Sequence, residues 1–433
     1  MSLDLLPIPP CEGPLDAVVS PPGSKSITNR CLLMAALADG ESRLERALES
    51  EDTVIFGECL RRLGISVDED PAKGVIGVRG QGGRVSDRGA ELFVGNAGTA
   101  ARFITALLLF GRGEYALDGV AAMRKRPMRD LLVALEGLGA RLAWGAAPYH
   151  FPFTMRGAGA LAGGTIEISA AKTSQHTTGL LLVAPYAKGD VTVRLTGEVV
   201  SQPYLDMTCR LMTEWGARVE RPDAATYVVR AGSPYVARTH VVEPDASSAS
   251  YLFAAAAAVG GRVRVRHLSG SSAQGDVRFV DVLGLMGCEV EKGDDFIEVR
   301  RSGPLRGVEV DMNDISDTAP TLAALAPLAE GPVVIRNVEH MRWKETDRVA
   351  AVANELRRLG AGVEEMRDGL VIRPGPLQPA VIETYGDHRI AMAFAITGLR
   401  SPGVVIRDPG CVAKTFPTFF DELFKITGAA PPG

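Results

Sequence analysis

One pattern recurs along this chain: a small or polar turn, an apolar helix, a glycine-type break, then a strand. It occupies residues 24–44, 96–117, 174–195, 246–267, 317–337 and 387–408, with starts 72, 78, 72, 71 and 70 residues apart. A second piece, an amphipathic helix, closes on Gly64, Gly139, Gly216, Gly287, Gly360 and Gly428. Glycine at that position ends a helix in the left-handed conformation. Periods of this kind mean stacked copies of one supersecondary unit. Each copy reads strand–helix–strand–helix–strand, which builds α/β layers. The sixth copy has no room for a strand after Gly428, and the stretch Leu3–Ile8 is expected to supply it, tying the two ends together.

A chain of 433 residues is too long for a single core. Six units divide into two domains of three. The expected domains are residues 1–22 with 243–433, and residues 23–242, because prolines interrupt the pattern near 21–23 and 241–244. Two crossing strands there form an expected hinge.

The chemistry collects at helix starts. In Pro22–Arg30 (Pro-Gly-Ser-Lys-Ser-Ile-Thr-Asn-Arg), Ser24 is the expected N-cap, so Lys25 and Ser26 fall in the first turn and Arg30 about one turn on. A cation at the positive end of a helix costs about 0.3–1 kcal/mol unless an anion joins it. The other first helices start with Asn96, Gly98 and Thr99; Thr173, Ser174 and Gln175; Asp245; Asp317; and Asp387, His388 and Arg389. The second helices follow Arg126, Ser201 with Gln202, Lys344 and Lys414. Lys344 and Arg348, four apart, are expected on one helix face. Taken singly, most of these are caps or solvated helix ends. Together they bring seven cations (Lys25, Arg30, Arg126, Lys344, Arg348, Arg389 and Lys414) to equivalent ends of repeated units. In a chain of formal net charge -5 this predicts a cleft for small molecules carrying several anionic groups. Asp317, an acid among these cations, is a candidate base.

Composition excludes other classes. The negative net charge argues against a general polyanion binder, so no nucleic-acid partner is expected. No apolar run reaches membrane-spanning length, and no signal peptide is visible at the N-terminus. The six cysteines are scattered without a C-x-x-C, as free thiols are in a cytoplasmic protein, and Cys31, Cys209 and Cys288 read as core. The six histidines form no ligand pair, so neither a metal nor a cofactor is expected.

Over nearly its whole length the chain resembles the EPSP synthase (3-phosphoshikimate 1-carboxyvinyltransferase) family of enolpyruvyl transferases. The matching stretches are Pro22–Arg30, Leu92–Arg102, Arg126–Met128, Ser174–Gln175, Ser201–Asp206, Asp245–Tyr251, Asp311–Thr321, Lys344–Arg348, Gly386–Met392 and Ala413–Pro417. The resemblance implies a two-domain inside-out α/β barrel of six βαβαββ repeats, three per domain. It implies transfer of the enolpyruvyl group of phosphoenolpyruvate to 3-phosphoshikimate by addition and elimination, in a monomer that glyphosate inhibits. By position, Ser26, Arg30, Thr173, Ser174, Ser201, Tyr204, His340 and Lys344 would meet 3-phosphoshikimate. Asn96, Gly98, Arg126, Arg348, Arg389 and Lys414 would meet phosphoenolpyruvate, with Lys25 and Gln175 touching both. Asp317 would be the base at the 5-hydroxyl, and Glu345 or Lys25 the proton donor. His340 stands where the family usually has Asn, and Thr173 where it has Ser.

Two rivals are weaker. A transferase for UDP-N-acetylglucosamine generally carries a Cys in the loop before the second unit's Arg-Pro, and 118–126 has none. A non-enzymatic clamp would not need Asp317 or Glu345.

Overall fold

The computed structural model describes residues 4–429, so Leu3 of the expected first strand lies outside them. The chain forms two compact units, Met1–Pro22 with Glu243–Gly433, and Gly23–Val242.

The unit Gly23–Val242 holds three four-stranded sheets. In one, Ala90–Phe93 runs parallel to Glu114–Asp118, and Phe153–Arg156 and then Arg141–Trp144 follow antiparallel. The same order of one parallel and two antiparallel pairings recurs in Gly164–Ser169, Val191–Thr196, Thr226–Val229 and Val219–Asp223. It recurs again in Thr239–Val241, Asp39–Glu45, Val75–Gln81 and Ser66–Asp70. A parallel pair needs a crossover, and the core helices supply it: Gly98–Leu107 joins the first pair and Gln175–Val183 the second.

The other unit repeats the scheme. Leu15–Val19 pairs parallel with Gly261–Arg266, and Glu309–Asp311 pairs parallel with Val333–Arg336. The last sheet has three strands, Ala380–Ile382, Val404–Arg407 and Leu5–Pro7. Leu5–Pro7 pairs antiparallel with Val404–Arg407, so the N-terminal segment fills the place the C-terminal copy leaves empty.

Burial explains the layering. Every residue of Ala246–Val259 and of His388–Gly398 is buried, as are Ile27–Leu37 of the helix Lys25–Leu37. Helices apolar on all sides belong inside. The strands instead alternate, as in Leu15–Val19, where every second residue is exposed. A buried helix therefore meets solvent mainly at its ends, and its first turn is where polar chemistry can be placed.

Backbone conformation carries the same period. Gly64, Gly139, Gly216, Gly287, Gly360 and Gly428 all have positive φ, between 69° and 103°. Strands ending at Glu45, Thr196, Arg266, Arg336 and Arg407 are each followed by a left-handed residue: Arg46, Gly197, His267, Asn337 and Asp408. All six cysteines are free, and Cys209, expected in the core, is only half-buried. Among the described residues no helix is long and apolar enough to cross a membrane.

Candidate active site

In the unit Gly23–Val242, Ser24 caps the helix Lys25–Leu37 by accepting from the Ile27 amide. Lys25 therefore sits in the first turn, as its sequence position predicts. Its Nζ lies 3.3 Å from an oxygen of the buried Asp52. Asp52 stands in the first turn of the helix Glu51–Arg62 and offsets the unfavourable cation at the neighbouring helix start. The sequence reading missed it, because an acid after Ser50 reads as ordinary helix-start chemistry.

Arg30 is buried, and burial brings its guanidinium down to about 10, still charged at neutral pH. It donates Nε to the Thr208 hydroxyl at 2.8 Å, Nη1 to the Ser26 carbonyl at 2.8 Å and Nη2 to the Tyr204 carbonyl at 3.1 Å. Ser26, Arg30 and Tyr204 thus come together. Ser201 precedes the helix Gln202–Glu214 at φ 55°, a left-handed conformation that a non-glycine residue adopts at a cost of order 1 kcal/mol.

Gly98 starts the helix Gly98–Leu107, and Arg126 lies across it: a Cβ at Gly98 would fall 2.6 Å from Arg126 Cζ. The space over this glycine is thus filled by the Arg126 guanidinium. Arg126 donates to the Asn96 carbonyl at 3.3 Å. The buried Arg102 ties the same parts together, donating to the Gly98 and Pro127 carbonyls at 3.2 and 2.7 Å. Gln175 Nε2 donates to the Thr99 hydroxyl at 3.2 Å, and the Gln175 amide donates to the Thr173 hydroxyl at 3.2 Å. Ser174, at the head of the helix Gln175–Val183, makes no capping bond with its side chain.

The second cluster belongs to the other unit and centres on Arg348. The structure corrects the expected helix here. Asp347 is the N-cap, accepting from the Ala350 amide at 3.0 Å, and the helix is Arg348–Arg358. Lys344 and Glu345 precede it, so Lys344 and Arg348 do not share a helix face. They converge on Asp317 instead, which lies in the short turn Asn313–Thr318 before the helix Ala319–Leu325. Arg348 Nη1 donates to Asp317 at 3.2 Å, Arg389 Nη2 donates to its other oxygen at 2.7 Å, and Lys344 Nζ stands 3.8 Å away. Arg348 also donates to Glu345 at 2.7 Å and, through Nε, to the fully buried Asp387 at 2.7 Å. Asp387 caps the helix His388–Gly398 through the Arg389 amide, so one carboxylate fixes both arginines.

Burial alone would raise the Asp317 carboxyl, but Arg389, Lys344 and Arg348 outweigh it and hold the group well below the carboxylate range. His340 is buried and hydrogen-bonded through Nε2 to the Ser316 hydroxyl at 2.7 Å, next to Asp317. Burial, then the charge of Lys344, lowers it to about 3, so it is neutral at physiological pH. Its position supports the Asp317 turn. Lys414 is buried at the end of the turn Pro409–Lys414. Arg126 and Lys414, which the sequence offers only as cations before helix starts, are 6% and 3% exposed, so removing either disturbs packing as well as charge.

Asp276 is a second acid missed in the sequence. It is buried in the turn Gly275–Arg278 and accepts from the Ser247 hydroxyl in the first turn of Ala246–Val259. Burial and then the Asp317 charge push it up to about 6. A carboxyl raised in the fold favours folding below its unfolded pKa of about 4 and loses that advantage as pH rises through about 6. Asp276→Asn is therefore expected to be about 1–3 kcal/mol more stable relative to wild type at pH 7.5 than at pH 4. Urea denaturation at the two pH values checks this, and equal differences would contradict it.

The family described as EPSP synthase (3-phosphoshikimate 1-carboxyvinyltransferase) matches residues 11–423. The 3-phosphoshikimate 1-carboxyvinyltransferase of Trichormus variabilis is 53% identical over 426 residues, covering 98% of this chain and 100% of the relative. That of Vibrio atlanticus is 44% identical, with 98% of each chain covered. A solved EPSP synthase from Acinetobacter baumannii superposes with a TM-score of 0.82 at 25% identity, over 97% of each chain.

Proposed function

The chain belongs to the EPSP synthase family and is an enzyme that transfers the enolpyruvyl group of phosphoenolpyruvate to 3-phosphoshikimate; we propose that the two clusters described above share the work of this one reaction. The observation that carries the reading is Asp317, an acid held by Arg348, Arg389 and Lys344 at the start of a core helix. Both substrates carry a phosphate and a carboxylate. When they arrive, the cations around Asp317 divide their charge between substrate and acid. That relieves the depression of the Asp317 carboxyl and makes it a competent base for the 5-hydroxyl.

The oxygen then adds to C2 of phosphoenolpyruvate while a proton reaches the methylene carbon from Lys25 or Glu345. The tetrahedral intermediate loses that proton equivalent from the methyl group and expels phosphate, breaking the C2–O bond. Arg126 and Lys414 stabilise the leaving charge. Ser26, Arg30, Thr173, Ser174, Ser201, Tyr204 and Lys344 hold 3-phosphoshikimate. Asn96, Gly98, Arg348 and Arg389 hold phosphoenolpyruvate, and Gln175 touches both. The three parallel-led sheets of each unit support the family's inside-out barrel of six repeats. The same reading makes the protein a cytoplasmic monomer.

Phosphate release measured with phosphoenolpyruvate and either acceptor tests the assignment. Turnover with 3-phosphoshikimate and none with UDP-N-acetylglucosamine is expected; the reverse would assign the chain to the sister activity.

Gly98→Ala would drive the Arg126 guanidinium aside, because the new methyl overlaps it. The KM for phosphoenolpyruvate is expected to rise about tenfold, equivalent to about 1.4 kcal/mol. Glyphosate inhibition, competitive with phosphoenolpyruvate, should weaken in parallel. An unchanged KM in steady-state kinetics would remove Arg126 from that contact.

A further inference from the structure

The unit Gly23–Val242 holds a cavity of about 550 Å³ on the outer face of the sheet Ala90–Phe93/Glu114–Asp118/Phe153–Arg156 and against the helix Glu51–Arg62. Ligand pockets run from about 300 to 1,000 Å³ and are mostly apolar with a few polar groups. This one has that character. Phe93 is 57% exposed and Val54 39%, and both line it. A large aromatic left open on a soluble unit favours a flat apolar occupant.

The rim sets the charge of that occupant. Arg62 is engaged by Glu58 at 2.9 Å and by the Glu91 carbonyl. Asp118 is engaged by Arg124 at 2.9 Å. The Glu91 carboxylate is left over: among the described residues it has no ion-pair partner. The cavity therefore has an aromatic wall and one uncompensated negative charge.

Its walls lead directly to the first cluster. Phe93 ends the strand before Asn96 and Gly98, and Asp118 ends the strand before Arg126. The helix wall carries Asp52, the partner of Lys25, and its Ile55 lies so close to Gly95 that a Cβ there would be 2.6 Å away. We propose that this cavity is a regulatory site for a one- or two-ring aromatic amine, whose occupant acts on the segments bearing Gly98 and Arg126.

Tryptamine is the probe, with indole-3-acetate as its anionic counterpart. Isothermal titration calorimetry is expected to show tryptamine binding and at least tenfold weaker binding of indole-3-acetate. Glu91→Gln should weaken tryptamine about three- to fivefold, the scale of one exposed ion pair. Ala116→Phe, which fills the cavity from its exposed face, should abolish binding while keeping wild-type turnover. Saturating tryptamine should change kcat/KM for phosphoenolpyruvate at least twofold in wild type and not in Ala116→Phe. No binding at millimolar tryptamine, binding unaffected by Ala116→Phe, or equal binding of indole-3-acetate would overturn the site. An unchanged kcat/KM would overturn its regulatory role. The kinetic arm rests on the transferase reading, whereas calorimetry does not, so the two failures are distinguishable.

Discussion

Asp317→Asn is expected to lower kcat about 10²–10⁴-fold, the range that a positioned general base contributes, with a much smaller change in either KM. The amide keeps the shape and the acceptor oxygen but cannot take the hydroxyl proton. The same substitution has a second signature. A carboxyl depressed in the fold contributes stability above its unfolded pKa of about 4, and that stability is lost as pH falls through the lower folded value. The variant should therefore be less stable than wild type at pH 7, and the gap should narrow as pH drops below about 4. Steady-state kinetics and acid-titrated melts check the two parts. Wild-type turnover would reduce Asp317 to an anchor for Arg348 and Arg389.

Arg348→Ala carries the largest expected structural effect. The side chain is 1% exposed and joins Asp317, Glu345 and Asp387, the last fully buried. Its removal takes the arginine partner from the buried Asp387 and leaves Asp317 with Arg389 and Lys344. Breaking a buried pair from one side costs about 3–5 kcal/mol. Arg348→Lys restores a charge but not the fork that reaches three acids at once, so it should recover part of the stability and little of the activity. Urea denaturation followed by circular dichroism reads the difference. A midpoint within error of wild type for Arg348→Ala would mean the node is not a folding element, and its role would be binding alone.

What could be read from sequence follows from how local each demand is. The glycines closing the second helices were legible because a left-handed residue is a requirement of the chain itself. Lys25 at a helix start was legible for the same reason, through Ser24. Asp52 and Asp276 were not, because their partners Lys25, Ser247 and Asp317 stand 27, 29 and 41 residues away in the chain, and only folding brings them close. The Lys344–Arg348 helix was misplaced although the signal was present: Asp347 precedes the apolar run and caps it, which ends any helix that would include Lys344. The burial of Arg126 and Lys414 was illegible too, because cations are assigned to solvent unless a fold encloses them.

The central claim is that this chain breaks the C2–O bond of phosphoenolpyruvate by addition of an acceptor hydroxyl and expulsion of phosphate. Phosphoenolpyruvate labelled with ¹⁸O at the bridging oxygen, turned over with 3-phosphoshikimate, tests it in one measurement. Mass analysis is expected to find the label in inorganic phosphate, one equivalent per enolpyruvyl ether, and no phosphate without the acceptor. Label retained in the organic product, or phosphate released without 3-phosphoshikimate, would contradict it.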